Sequence, residues 1–275
     1  MPSPFANPPP FLWLVPVVAV AAATAEGVWL TRRRSYDWRA YWASLGDALL
    51  RGLTRLLPIG VGYAWLQWCW QHRVQTLSLD GPLAWAALFV AVEFLYYWLH
   101  RADHRIRWLW ATHAVHHSPE ELTLASAYRL GFTMAIEPGA FLFSPLVVLG
   151  VPPLAVLGML AANLLYQFWI HNTWMPRLGP LEWVLNTPTH HRVHHASNPE
   201  YLDRNFGGVL IVFDRLFGTF QAPLDGVPLR FGLTTPVRSY DPVRVGLHAW
   251  RALFDDLHRA RGPRAAAAVL FGPPR

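Results

Sequence analysis

The chain of 275 residues is 53% apolar, has 15 tryptophans and only 15% charged residues, and its mean hydropathy is +0.20. A water-soluble domain carries about 25% charged residues, and the deficit is gathered into long apolar runs, which excludes a single soluble core as the whole architecture. The formal charge of +6 rests on arginine alone, since lysine is absent, and the arginines flank apolar runs as membrane orientation requires rather than forming a nucleic-acid patch.

Residues 1–10 are proline-rich and read as a disordered lead. Phe11 to Leu30 has the length of a bilayer crossing and ends in Arg32-Arg33-Arg34, a cluster that resists export and leaves the N-terminus outside. Those arginines also argue against a cleaved signal peptide. Leu56 to Trp70 is a second apolar run. It contains the single cysteine, Cys69, which excludes an internal disulfide, a thiolate cluster and a c-type haem attachment. A third run, Leu83 to Leu99, comes after Asp80-Gly81-Pro82. Phe132 to Gly150 and Pro152 to Ile170 form a hairpin joined at Val151-Pro152-Pro153.

These runs predict an all-α integral-membrane helical bundle of about four to five spans. From Leu181 to about residue 260 the chain is mixed and mostly polar, and reads as a cytosolic helical cap. The expected divisions are the lead 1–10, N-terminal spans 11–82, a catalytic unit 83–260 and a tail 261–275. Counted from an outside N-terminus, five crossings bring every clustered histidine to the cytoplasmic side, and a shallow hairpin that re-enters without crossing gives the same side.

Ten of the 13 histidines fall into three clusters and one outpost. His100 and His104 are four apart, one helical turn, with Glu93 and Tyr97 on the same stripe. His113, His116 and His117 make a second box, and His190, His191, His194 and His195 a third. His171 ends an apolar run, with Asn163 and Gln167 stepping back from it by fours. Imidazole in this number suits Zn, Fe, Cu or Ni, whereas Mg or Ca want oxygen ligands. One ion takes roughly four to six ligands, so eight to ten imidazoles imply two ions. If redox-active, such a pair can bind and reduce dioxygen. That selects iron, with zinc able to occupy the site after purification. Crowded imidazoles without an ion would repel when protonated and waste buried polar groups when neutral. His72, His248 and His258 read as ordinary surface or capping residues. Glu93, inside a span, is expected either to orient a ligand imidazole through its other nitrogen or to pair with an arginine. Asp103, Asn186, Asn198, Asp203 and Asp214 are further supporting candidates.

The HxxxH, HxxHH and HxxHH boxes resemble those of the fatty acid hydroxylase/sterol desaturase superfamily of membrane di-iron enzymes, from about Glu93 to Asp241. HHSPEELTLASAYR (116–129), NTPTHHRVHH (186–195) and YLDRNFGGVLIVFDRLFGTF (201–220) are most similar to the alkylglycerol monooxygenase branch and its bacterial relatives. The resemblance implies His100, His104, His113, His116, His117, His191, His194 and His195 as ligands, with His171 and His190 as matched extras. It also implies a carboxylate, tied to tetrahydropterin use, directly after the second histidine of the first box. Here Arg105 stands there, a charge reversal that sets the pterin requirement and the ether-lipid substrate in question. The implied activity is hydroxylation or desaturation of an aliphatic C–H of a lipid (fatty acyl, sterol or ether lipid) with O2 and electrons from an external donor, in a bacterial inner membrane. A metal-ion transporter and a metal-stabilised assembly factor without chemistry are the rival classes. A transporter would want ligands at mid-membrane, whereas these fall at span ends and in the cap.

Overall fold

The computed structural model describes residues 14–54, 61–136 and 139–274; the lead at 1–10 lies outside the described residues. Among those described, the architecture is all-helical, and β pairing is limited to two isolated bridges, Leu185 with Leu210 and Ala196 with Phe231.

Three helices are long and apolar enough to cross a bilayer: α1 (Leu14–Thr31), α4 (Gly81–Arg105) and α8 (Pro153–Ile170). Only 22–28% of each apolar window is buried within the protein. Val17, Val90 and Leu165 point outward, which fits lipid contact rather than a soluble core. The chain is a multi-pass membrane protein. The bundle expected from the sequence is present, and among the described residues three of its runs are single helices long enough to be candidate spans. The described part of the Leu56–Trp70 run lies in α3 (Val61–Gln71), whose 11 residues rise about 16 Å against a hydrocarbon core of about 30 Å. The described parts of the Phe132–Gly150 run are a 3-10 turn (Phe132–Ile136), α6 (Gly139–Leu142) and α7 (Ser144–Val148). Pro145, which lacks an N–H, sits in the first turn of the last of these.

Helices α1, α4 and α8 all run toward the histidine end, so the chain must return before α4 and again before α8; the short limb α3 lies on the first return and α6–α7 on the second. Their far ends meet where Val74 N donates to Val148 O (2.8 Å) and Leu77 N to Gly150 O (2.9 Å). Gly150 has φ +109°, and a Cβ there would come within 2.4 Å of Gln75 O, so only glycine fits. Leu66 and Cys69 of α3 share a core with Leu88 and Val92 of α4, Val147 of α7 and Val156 of α8. The C-terminal end of α1 sits at the histidine end. Its Glu26 accepts from Leu124 N and Trp174 Nε1 (2.6 and 2.7 Å), and Arg34 reaches Thr173 Oγ1 at 3.4 Å.

The cap is built from α5 (Arg107–His113), α9 (Pro188–His194), α10 (Val212–Leu216), α11 (Pro242–Arg259) and α12 (Pro263–Phe271). Arg107 ties three of them together, through an ion pair with Asp256 of α11 (2.6 Å) and a backbone bond to Gly272 after α12 (2.9 Å). Helix α2 (Trp38–Thr54) packs against the 3-10 turns Leu124–Tyr128 and Phe132–Ile136.

Candidate metal centre

The last turns of α4 carry His100 and His104 to the end of the bundle. His113 closes α5, and His116 and His117 lie in the turn after it. Thr187 in extended backbone and Pro188, whose fixed φ suits a first turn, start α9, which presents His191 and His194 and leaves His195 as its cap. His171 caps α8.

Nine of these rings converge into two groups. His100, His104, His113, His117 and His194 form the first, and His116, His171, His191 and His195 the second; within each, one nitrogen per ring lies within 4.8 Å of all the others. The boxes divide by helical geometry. In each HxxHH box the i, i+4 pair (His113/His117, His191/His195) enters one group and the intervening i+3 histidine (His116, His194) enters the other. The outpost His171 is a full member of the second group. His190 joins neither; its ring packs on Phe220 with centroids 5.2 Å apart.

The outer nitrogens decide which inner nitrogens carry protons. Nδ1 of His100 donates to Phe206 O (2.8 Å), of His194 to Arg204 O (2.9 Å), of His116 to Arg129 O (3.1 Å) and of His171 to Gln167 O (2.6 Å). A carbonyl only accepts, so these rings hold their proton on Nδ1 and turn a bare lone pair inward. Yet the inner Nε2 atoms of His116 and His171 are 3.2 Å apart. In the first group Nε2 of His104 and of His194 are buried without any hydrogen-bond partner. Converging lone pairs with no proton between them are a donor set for a cation. Both groups therefore fit metal ions, and two adjacent groups fit a dimetal site.

Electrostatics agree. Burial, then the neighbouring imidazoles, hold His113, His117, His191 and His195 far below the ordinary histidine range. Burial lowers His116 to about 4 despite its bond to the Arg129 carbonyl. Neutral imidazole is the ligating form.

One segment holds most of the first group. Residues 203–206 supply Asp203 beside His104 Nδ1 (3.5 Å), the Arg204 carbonyl for His194 and the Phe206 carbonyl for His100. Asp203 and Asn205 take φ of +57°, which Asp and Asn tolerate better than most residues. Two buried carboxylates clamp the backbone from Phe206 to Leu210. Asp214 accepts from Phe206 N and Gly207 N (both 2.7 Å), and Glu93 from Val209 N (2.8 Å) and Leu210 N (3.0 Å). Glu93 also accepts from Asn163, which in turn accepts from Gln167. The alternatives read for Glu93 are thus both corrected: it meets neither an imidazole nor an arginine, and acts on the site through the loop. The supporting carbonyls of Arg129, Gln167, Arg204 and Phe206 escaped sequence reasoning because every residue has one. Asp103 stands 4.0 Å from His113 Nδ1. Asn186 donates to Gly207 O, and Asn198 binds the 228–230 backbone.

A cavity of about 190 Å³ opens onto His104, His117, His194 and His195, with Trp110, Asp203 and Pro274 at its walls. Arg105, half exposed, pairs with the cavity residue Asp203 at 3.2 Å.

An all-helical membrane protein with two adjoining polyhistidine groups is the class these features define. The chain belongs to the fatty acid hydroxylase family, whose model matches residues 85–219. It is similar to alkylglycerol monooxygenase of Homo sapiens, 42% identical over 74% of this chain and 45% of the relative, and to that of Xenopus tropicalis, 36% identical over 87% and 55%. It is also similar to the ornithine lipid hydroxylase OlsE of Rhizobium tropici, 32% identical over 57% of this chain and 48% of that protein. The chain thus spans about half the length of the curated relatives it matches. No solved structure matches it.

Proposed function

We propose that the protein is a membrane-bound di-iron oxygenase that hydroxylates an aliphatic C–H of a lipid. The observation that carries this reading is the His116–His171 approach, two inward lone pairs 3.2 Å apart with both ring protons committed to carbonyls. The nine grouped histidines are its ligands, and His190 serves the fold beside them. Two iron ions held there supply the reductive activation of dioxygen. One oxygen atom enters the C–H bond and the other leaves as water, with a pair of electrons and a pair of protons from an external donor. Around that chemistry the protein orients the chain segment and excludes water. The unit 83–260 supplies His104, His117, His194 and the apolar wall Trp110 to the cavity that receives the reacting segment, and Pro274 of the tail completes its wall.

Hydroxylation is favoured over desaturation by the relatives, whose names give an alkylglycerol and an ornithine lipid as substrates of oxygenation. The site faces the cytoplasm: Arg32, Arg33 and Arg34 directly follow α1, and Arg34 reaches Thr173, two residues past His171. A redox protein is the favoured electron source over a pterin, because Arg105 occupies the position where pterin use calls for a carboxylate.

Metal analysis of freshly purified protein, with lipidomics of cells expressing or lacking the gene, tests the proposal. Iron in the protein together with gene-dependent hydroxylated lipids is the expected result. Unchanged lipids with altered metal uptake would select the transporter instead.

A further inference from the structure

Helix α2 buries polar groups and exposes apolar ones. Beside Tyr41 and Ala43, its protein-facing side holds Ser44 and Asp47, only 2% and 1% exposed. Ser44 Oγ and Ala40 O accept from Arg129, and Asp47 accepts from Leu130 N (3.1 Å) and Gly131 N (3.0 Å). The opposite side carries Trp42, Leu49 and Leu53, each more than 60% exposed. At about 100° per residue these three lie within roughly 40° of one another, so they form one stripe. A helix facing water would carry the reverse pattern.

We infer that α2 is not a span but a helix lying along the lipid–water boundary, with Trp42, Leu49 and Leu53 seated in the acyl region. Continuity with α1 identifies the occupant. Tyr41 shares a hydrogen bond with Thr24 (2.7 Å) and Trp38 Nε1 donates to Thr31 (3.1 Å), so α2 folds back against the last turns of a spanning helix. Thr24 is seven residues before the end of α1, about 10 Å along the axis, which sets the start of α2 at interfacial depth. Arg32, Arg33 and Arg34 follow the end of α1, Arg39 lies in the first turn of α2, and all four are exposed, as anionic headgroups demand. A tryptophan on the stripe suits the boundary. The inner face matters for the metal centre: the Arg129 that α2 grips is the residue whose carbonyl holds His116. Seating of this helix in the bilayer therefore bears on the orientation of an imidazole in the second group.

The test is depth measurement by spin labelling of the full chain in phosphatidylcholine–phosphatidylglycerol vesicles. Leu49→Cys and Leu53→Cys carry the label, and native Cys69, 1% exposed, stays unlabelled. Val17→Cys on α1 serves as the lipid standard and Leu224→Cys in the cap as the aqueous one. Labels at 49 and 53 are expected to collide with dissolved oxygen far more than with a water-soluble nickel chelate, as at 17. Ready collision with the chelate, as at 224, would overturn the inference. Shielding from both reagents would overturn it too, showing the stripe covered by protein, whether a second copy or a partner.

Discussion

His116 and His171 face each other through Nε2 atoms 3.2 Å apart, while the Nδ1 of each donates to a carbonyl, that of Arg129 and that of Gln167. Neither ring has a proton left for the other, so the approach is repulsive until a cation stands between them. His171→Ala is therefore expected to deplete the ion of the second group while sparing the first, and His100→Ala to do the reverse. Elemental analysis of the two purified variants checks this. Full metal content in both would remove the metal reading altogether.

The backbone between Asp203 and Leu210 is a scaffold for the first group, and its rigidity comes from Asp214 and Glu93. Asp214→Asn keeps the shape but turns an N–H pair toward at least one of Phe206 N and Gly207 N. Leaving such a buried group unsatisfied costs about 1–3 kcal/mol, and loss of an outer support lowers metal affinity by about 10–100-fold. Chelator competition should show the first group weakened more than the second, because His100 and His194 lean on this loop and His171 on α8. Equal weakening of both groups would mean that the substitution acts by general loosening.

The histidine boxes were readable because ligand chemistry restricts the residue type and helical spacing restricts the position: His100/His104 and the two HxxHH boxes could hardly serve otherwise. Even the outpost His171 was legible, through the Asn163–Gln167 stripe leading to it. The division of each box between two groups obeys the same 100° step, yet needed coordinates to assign. What could not be read was backbone chemistry. Nothing in the side chain of Phe206 or Arg129 announces that its carbonyl holds an imidazole. Hydropathy marks apolar runs but not their backbone: α6 and α7 are apolar yet only four and five residues long, with Pro145 in the first turn of α7.

Gly208 lies where the clamped loop presses on α8. A Cβ there would come within 2.0 Å of Asn163 Nδ2, and Asn163 is itself held by Glu93 and Gln167. Relief requires displacing the network or the loop, an overpacking cost of about 1–3 kcal/mol. Gly208→Ala should lower thermal stability by that amount and weaken the first metal group. A variant with unaltered melting and metal content would show the loop to be compliant.

Acidification should act on the metal-free protein through its buried rings. His116 is held at about 4 against an ordinary value of 6.5, and His113, His117, His191 and His195 are likewise lowered. The unfolded chain therefore binds protons first as pH falls, so stability present above about 6.5 declines toward about 4. Melting temperatures of metal-free protein across that window should drop monotonically. A flat profile would mean that the rings are not buried in the neutral form.

Arg105 offers a test of the electron source. Its guanidinium pairs with Asp203 at 3.2 Å, and Asp203 also stands 3.5 Å from His104 Nδ1. Burial alone would raise the Asp203 carboxyl, but the His104 hydrogen bond and the Arg105 charge hold it below the usual carboxylate range. Arg105 is 54% exposed, and an exposed pair contributes only about 0–1 kcal/mol, so Arg105→Gln should leave stability and metal content nearly unchanged. A carboxylate at this position would instead stand beside Asp203 with like charge. Purified protein with a reducing redox partner should thus form hydroxylated lipid at a rate that added tetrahydropterin does not raise. Severalfold stimulation of the native protein by the pterin would refute this, and loss of that stimulation in Arg105→Gln would assign the arginine to pterin binding.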